Sequence, residues 1–133
     1  MPVNKRTATC SCGQLSAEVL GEPQRVSICH CLACQQRTGS VFGEQAVFAA
    51  ANVTPSGNAS VYVRVGDQGT RFMFRFCPTC GATVYYTAEG RDGVVVIPVG
   101  AFADPTFSAP TASFYESRKH AWLALPEGMK HAH

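Results

Sequence analysis

Polar and apolar residues alternate along much of the chain, and this period of two predicts β-strands. The alternation is clear over residues 14–20, and it returns on both sides of a polar turn at residues 66–69. Other apolar or β-branched runs are bounded by glycine, proline or asparagine. The predicted strands are residues 14–20, 25–29, 44–50, 61–65, 71–76, 83–87 and 93–99, with a short one near 113–117. The fold is therefore expected to be mainly β.

Little helix is expected. Residues 32–38 tolerate a helix, and Gly39 can end it because glycine adopts the left-handed conformation of a helix stop. Residues 52–58 are rich in Asn, Pro, Ser and Gly, and are predicted to form a loop. In the strand at residues 71–76, the three phenylalanines share one face, which is the expected core side.

The C-terminal part, residues 102–133, is predicted to be an irregular tail because it holds prolines at 105, 110 and 126. Trp122 and Leu123 are expected to dock on the domain by apolar burial. Residues 130–133 are expected to fray.

Composition narrows the class of protein. A chain of 133 residues with 46% hydrophobic and 15% charged residues is expected to form one domain, residues 1–133. The cysteine motifs described below lie in its core part, about residues 7–100. The net charge of +2 is too small to indicate nucleic-acid binding, and no apolar run is long enough for a membrane span. Residues 1–6 do not resemble a signal peptide. The expected location is cytoplasmic.

The seven cysteines fall in three short clusters, which is the strongest signal in the sequence. Cys77 and Cys80 have the spacing that lets two thiolates bind one tetrahedral Zn²⁺, and Gly81 lets the chain turn back beneath the metal. Cys10 and Cys12 can present both sulfurs on one side of the chain. The middle cluster holds Cys29, Cys31 and Cys34.

Spacing favours a division of four and three. Cys10 and Cys12 with Cys77 and Cys80 would close a structural Cys₄ site, and the middle cluster would form a site one protein ligand short, with room for water or substrate. A second division obeys the same arithmetic: Cys10 and Cys12 with Cys29 and Cys31, leaving Cys34, Cys77 and Cys80. The first division is preferred, and the second stays open.

Competing interpretations of the cysteines are weaker. Disulfides need an oxidising compartment, and an odd number of cysteines leaves one thiol over. A thioredoxin-type pair would need a helix after Cys80, where the residues predict a strand. A closed Cys₃His site could use His30 or His120. In an extended segment His30 points away from the metal of its neighbours, which favours a packing or supporting role for this histidine.

The ordered motifs Cys10-x-Cys12-Gly13, Cys29-His30-Cys31-x-x-Cys34 and Phe76-Cys77-x-x-Cys80-Gly81 resemble one family. It is the glutathione-dependent formaldehyde-activating enzyme family, also grouped with centromere protein V, whose fold is the Mss4-like β-tent. The resemblance implies short antiparallel sheets tied by a structural zinc at Cys10, Cys12, Cys77 and Cys80. It also implies a second, open zinc at Cys29, Cys31 and Cys34, and thus two zinc ions per chain.

The leading hypothesis is a carbon–sulfur lyase or thiol-adduct enzyme that resembles S-(hydroxymethyl)glutathione synthase. Its partners would be a small thiol such as glutathione and a small aldehyde. Three thiolates suit the metal to holding an incoming thiol as a thiolate. Arg37 and Thr38 follow Cys34 closely enough to meet a glutathione carboxylate, and Arg64, Arg71 and Arg75 are further candidates. The alternative is a non-catalytic zinc module for protein interaction.

Overall fold

The computed structural model describes residues 4–133, and within them the chain forms eleven strands, one α-helix and three short 3₁₀ turns. The mainly β prediction is confirmed. Residues 1–3, part of the segment considered above for a signal peptide, lie outside the described residues. The elements are β1 (Lys5–Thr9), β2 (Ser16–Leu20), β3 (Arg25–Cys29), α1 (Leu32–Thr38), β4 (Gly43–Ala49), β5 (Val53–Ser56), β6 (Ser60–Val65), β7 (Arg71–Phe76), β8 (Thr83–Ala88), β9 (Val94–Pro98), β10 (Ala112–Phe114) and β11 (Lys130–His131), with 3₁₀ turns at Ala50–Asn52, Val99–Phe102 and Glu116–Arg118.

The strands form two sheets. A three-stranded sheet has the order β1-β2-β5, and an eight-stranded sheet has the order β11-β10-β3-β4-β9-β8-β7-β6. Most neighbours are antiparallel, and short turns join the pairs β1–β2, β6–β7 and β7–β8. The exception is β10, which runs parallel to both β3 and β11. Within the described residues, no helix is long and apolar enough to cross a membrane.

The core lies between the two sheets. The small sheet contributes Ala17 and Val19 from β2, and the large sheet contributes Phe48 from β4 and Ile97 from β9, all fully shielded from solvent. Burying a valine, isoleucine or phenylalanine side chain contributes about 1.5–3 kcal/mol relative to leaving it exposed. Leu15, in the turn before β2, joins the same cluster. The first cysteine turn is therefore anchored to the core by the residues that follow it.

The helix α1 has the predicted bounds. Its N-cap is Cys31, whose sulfur accepts a hydrogen bond from the backbone N–H of Cys34 at 3.3 Å. Its C-cap is Gly39, which has a φ of 71° and donates its N–H to the Gln35 carbonyl. Glycine adopts this left-handed conformation without steric cost. Thr38 donates its hydroxyl to the Cys34 carbonyl at 2.9 Å, so this side chain supports the last turn.

Two local predictions about irregular segments are wrong. The expected loop at residues 52–58 contains β5, which pairs with β2 and carries Pro55 at the edge of its sheet, where a missing N–H costs little. The expected frayed end contains β11, which pairs with β10. The Ala132 N–H also donates to the Ser113 carbonyl at 2.9 Å. Neither pairing has a local sequence signal, because each depends on a partner far away in the chain.

The prediction that Trp122 docks on the domain is also wrong, because its side chain is 70% exposed. Its ring makes an edge-to-face contact with the ring of His120. The phenylalanines of β7 do share a face, but only Phe74 is buried; Phe72 and Phe76 are partly exposed. This face is not covered by the small sheet. It forms the floor of a cleft that is described below, which explains why aromatic side chains there keep some contact with solvent.

Candidate metal centres

The first group of thiols connects the two sheets. Cys10 and Cys12 lie in the turn between β1 and β2, and Cys77 and Cys80 lie in the turn between β7 and β8. The four sulfur atoms all lie within 4.8 Å of one another. Two of the separations, Cys10 to Cys12 and Cys12 to Cys77, are 3.6 Å. The structure thus brings together one of the two fours that the spacing allowed.

This arrangement fits a tetrahedral zinc. Zinc–thiolate bonds of about 2.3 Å place the sulfurs of a tetrahedron about 3.8 Å apart, close to the separations in this turn pair. Backbone N–H groups surround the buried sulfurs: Leu15 donates to Cys10 at 3.3 Å, and Thr79 and Cys80 donate to Cys77 at 3.3 and 3.4 Å. Such donors offset the negative charge that four thiolates would place in the site.

Cys77 has the most charge-stabilising surroundings of the four. Its side chain is fully buried, and the Gln14 amide donates to its sulfur at 3.0 Å. Desolvation opposes ionisation, but the Gln14 amide and two backbone N–H groups outweigh it and lower the pKa of Cys77 to about 5. At neutral pH such a thiol is largely in its thiolate form, which is the form that binds metal.

Two glycines make the paired turns possible. Gly13 has a φ of 86° and donates its N–H to the Cys10 carbonyl, while Gly81 has a φ of 83° and donates to the Cys77 carbonyl. Side chains rarely adopt this conformation, so glycine follows each cysteine pair for a steric reason. The two halves of the site are therefore similar turns that face each other.

The second group of thiols lies where β3 meets α1. Cys29 ends β3, Cys31 caps α1, and Cys34 lies in its first turn; Cys29 and Cys34 are buried. The three sulfurs lie within 4.8 Å of one another. Among residues 4–133, no histidine or carboxylate atom joins them at that distance. The donor set is again soft and suited to zinc, with one protein ligand fewer.

The surroundings of Cys34 favour its thiolate. A hydrogen bond from the Cys29 thiol lowers the pKa of Cys34 to about 5, against the effect of desolvation, and the positive charges of Arg37 and Arg64 add to the lowering. The same hydrogen bond raises the pKa of Cys29. A buried thiolate at Cys34 that accepts a hydrogen bond from the Cys29 thiol is thus favoured even before a metal arrives.

Gly43 leaves space beside this group of thiols. It pairs with Cys29 across β3 and β4. A Cβ at this position would lie 3.2 Å from the Arg37 guanidinium and 3.5 Å from the Cys34 Cβ. The guanidinium would have to shift to admit even this single carbon atom. The absence of a side chain at residue 43 therefore helps to hold the guanidinium beside the sulfurs.

A cleft of about 270 Å³ opens next to α1. Arg37 stacks over the rings of Phe74 and Tyr86, at 5.2 and 5.4 Å from their centroids, and Arg64 stacks over Phe74 at 4.8 Å. Neither arginine forms an ion pair within residues 4–133, and the buried Nε of Arg37 has no hydrogen-bond partner there. The residues lining the cleft are Ala33, Gln36, Arg37, Tyr62, Arg64, Phe74, Phe76 and Thr83.

Tyr86 lies beneath the Arg37 guanidinium. Burial raises the pKa of its hydroxyl to about 12, with Arg37 opposing the shift and the charges of Cys34 and Cys29 adding to it. The phenol therefore stays protonated over the physiological range and keeps its capacity to donate a hydrogen bond.

The two histidines considered as ligands lie outside the thiol group. His30 is fully buried, and its Nε2 shares a hydrogen bond with the Ser113 hydroxyl at 2.8 Å, while its backbone N–H donates to the Phe114 carbonyl. Burial lowers the pKa of His30, so the ring is neutral. His120 shares a hydrogen bond with the Gln35 side chain at 3.0 Å. His30 ties the cysteine loop to β10, and His120 ties α1 to the chain after the third 3₁₀ turn.

The other predicted contacts separate into two groups. Arg37 lines the cleft, whereas the Thr38 hydroxyl bonds to the helix backbone and is absent from the lining. Arg71 pairs with Glu89 at 3.9 Å, and Arg75 stacks over Tyr85 on the opposite face of β7. Sequence reasoning missed Tyr86, because its place beneath Arg37 follows from pairings between β7, β8 and β9 that no short motif encodes.

Comparison with known proteins gives one family. Residues 5–118 match the family described as "Glutathione-dependent formaldehyde-activating enzyme". A crystal structure of a Rhodobacter sphaeroides protein is similar with a TM-score of 0.53 and 20% identity, over 71% of this chain and 85% of that chain; this similarity shows a shared fold. No curated protein matches. With both cysteine groups inside a match that spans most of its length, the chain belongs to the glutathione-dependent formaldehyde-activating enzyme family.

Proposed function

We propose that this protein binds two zinc ions and adds a small thiol to formaldehyde or a related small aldehyde, as a carbon–sulfur lyase acting in either direction. The observation that carries the proposal is the placement of three thiols, with no fourth protein ligand among residues 4–133, beside a cleft with two unpaired arginines. The four-thiol group would hold a structural ion. The three-thiol group at Cys29, Cys31 and Cys34 would hold the second.

The reaction needs a thiolate next to an aldehyde. When bound, zinc at the three thiols would favour the deprotonated form of an incoming thiol, since metal coordination stabilises thiolates. The thiolate sulfur forms a bond to the aldehyde carbon, and the electron pair of the C=O π bond moves to oxygen. The proton that the thiol released returns to that oxygen, which gives a hydroxymethyl thioether and consumes no other reagent.

Arg37 and Arg64 would orient the thiol substrate. Both guanidiniums are fixed against the Phe74 ring, so little side-chain freedom is lost when they bind a carboxylate. The buried Nε of Arg37 is a donor without an acceptor, and a substrate carboxylate would satisfy it. A small thiol that carries a carboxylate, of which glutathione is one, fits this chemistry.

Tyr86 would supply the hydrogen bond that the aldehyde oxygen needs. Because its pKa is raised to about 12, the hydroxyl keeps its proton and can donate to an oxygen that gains negative charge as the C–S bond forms. The aromatic floor of Phe74 and Tyr86 limits access of water to the same place. Proximity of two bound reactants would contribute much of the remaining acceleration.

The test is selective binding followed by turnover. Zinc-loaded protein is titrated with reduced glutathione, its disulfide and an S-methyl analogue, and formaldehyde consumption is then measured with the reduced form. Only the reduced thiol should bind with a contribution from its sulfur, and Cys34→Ala should remove this selectivity. Equal binding of all three ligands without turnover would favour a non-catalytic zinc module. Selective binding without turnover would retain the thiol site and require a different aldehyde.

The metal content is a separate prediction. Protein purified under reducing conditions should contain two zinc ions per chain by elemental analysis, because the thiols form two separate groups. Cys34→Ala should lower the content to one ion, whereas loss of both ions on that substitution would mean that the two groups are not independent. A wild-type chain with one ion or none would contradict the prediction.

A further inference from the structure

The strand β6 is an open edge of the eight-stranded sheet. Within residues 4–133 it pairs on one side only, with β7. Four of its side chains are apolar and exposed: Val61 by 50%, Tyr62 by 61%, Val63 by 43% and Val65 by 60%. Proteins usually block such an edge with lysine, proline, a bulge or a very short strand. The strand β6 is six residues long, its sequence SVYVRV contains neither lysine nor proline, and its pairing with β7 has no bulge. The opposite edge, β11, is two polar residues long.

The free backbone groups of β6 belong to its valines. Gly66 donates its N–H to the Thr70 carbonyl at 2.8 Å, in the same register that pairs Val65 with Arg71. Hydrogen-bonded and non-hydrogen-bonded pairs alternate along an antiparallel ladder, so Arg64 and Tyr62 bond to β7. Val61, Val63 and Val65 therefore direct their N–H and C=O groups away from the sheet, toward any strand that adds to the edge.

We infer that β6 pairs with β6 of a second copy of this chain, antiparallel and about a two-fold axis at Val63. In this register Val63 lies opposite the partner's Val63, and Val61 lies opposite the partner's Val65. On the other face, Tyr62 lies opposite the partner's Arg64. The interface is isologous, as in most homodimers, and the two sheets become one continuous sheet.

The sequence of β6 is complementary to itself in this register alone. On one face the three valines of each copy pack against those of the other, which buries the exposed apolar stripe. On the other face each guanidinium meets a tyrosine ring, a favourable cation–π pair, and no arginine faces an arginine. A shift of two residues would place Tyr62 opposite itself, Arg64 opposite Ser60 and Val65 opposite Ala59, which loses both Arg–Tyr pairs.

The pairing would also complete the cleft. Tyr62 and Arg64 line it, and a two-fold axis perpendicular to the sheet keeps both clefts on the same face. The partner's Tyr62 then covers the solvent side of Arg64, whose other side already stacks on Phe74. Each copy thus contributes an aromatic side chain to the wall of the other's cleft.

Sedimentation of the zinc-loaded full chain tests the interface independently of any turnover. Wild type should sediment at twice the 14.2 kDa chain mass and dissociate on dilution. Val63→Lys places two like charges opposite each other at the axis and should raise the dimer Kd by about 100-fold or more. Trp122→Lys, an equal charge change at an exposed aromatic outside β6, should leave the Kd unchanged. A monomeric wild type, or equal weakening by both variants, would overturn the inference.

The register has its own test. Val61→Lys alone should weaken the dimer, and Val61→Lys combined with Val65→Glu should restore it, because each new lysine then faces the partner's new glutamate. Within one copy the two positions lie four residues apart on an extended strand, too far to pair. A double variant that is no tighter than the single one would overturn this register. Circular dichroism confirms that each variant is folded before its mass is interpreted.

Discussion

Replacement of Cys80 by alanine should prevent the protein from folding stably, even with zinc in excess. Cys80 is exposed, so the substitution leaves no cavity in the core and its cost reports the metal site. The four-thiol group joins the β1–β2 turn of one sheet to the β7–β8 turn of the other. Loss of a ligand from a structural zinc costs on the order of several kcal/mol, comparable with the whole stability of a small domain. Thermal melting followed by circular dichroism measures the effect.

Cys34→Ala is the matched control for that experiment. Cys34 is buried, so replacing its side chain lowers the free energy of unfolding by about 1 kcal/mol through lost packing alone. If packing decided the result, Cys34→Ala would be more destabilising than Cys80→Ala. The metal assignment predicts the opposite order, with the Cys34 variant still folded. If the Cys80 variant melts near wild type and the Cys34 variant does not, the structural and open sites have been exchanged.

Arg37→Ala should weaken binding of a carboxylate-bearing thiol by about 10- to 100-fold, the range expected when a hydrogen bond to a charged group is lost. The guanidinium is held over Phe74 and Tyr86 beside the Cys34 thiol, so its removal leaves both the thiols and the floor of the cleft in place. Calorimetric titration of the zinc-loaded variant with reduced glutathione measures the loss.

Two comparisons isolate the charge contribution. Arg71→Ala removes an arginine that is exposed and pairs with Glu89 outside the cleft, and it should leave binding unchanged. A neutral thiol such as 2-mercaptoethanol should bind wild type and the Arg37 variant equally, because it has no carboxylate to lose. Weaker binding of the neutral thiol as well would mean that Arg37 acts on the thiols themselves and not on the substrate.

Local patterns predicted the elements that are defined locally. Alternation and bounded apolar runs located most of the strands, but not β1, β5 or β11. The helix α1 ends at Gly39 as expected, because a left-handed stop is a property of that one residue. The cysteine turns were recognisable for the same reason, since Gly13 and Gly81 are required by the turn itself. The choice between two divisions of the thiols was not local. It follows from the packing of the two sheets against each other, which brings residues 10 and 77 together.

Long-range pairing is also what the sequence left hidden. The parallel contact between β10 and β3, the place of Tyr86 beneath Arg37, and the pairing of β5 with β2 all join segments that are distant in the chain. Parity along β7 was correct, but parity does not tell a core face from the floor of a cleft. The exposure of Trp122 was also not predictable from the sequence, because an aromatic residue does not indicate whether the fold provides a groove that would bury it.

The link between His30 and Ser113 has a consequence for the order in which the protein matures on the ribosome. The two residues are 83 positions apart, and the strand that carries Ser113 lies beside the strand that ends at Cys29. Because synthesis proceeds from the N-terminus, the four-thiol turn pair can assemble soon after Cys80 emerges. The loop that carries the three thiols makes its contacts with β10 only after that strand has been synthesised. A nascent chain would thus complete its four-thiol group first, and the three-thiol group would be completed only when the rest of the fold is in place.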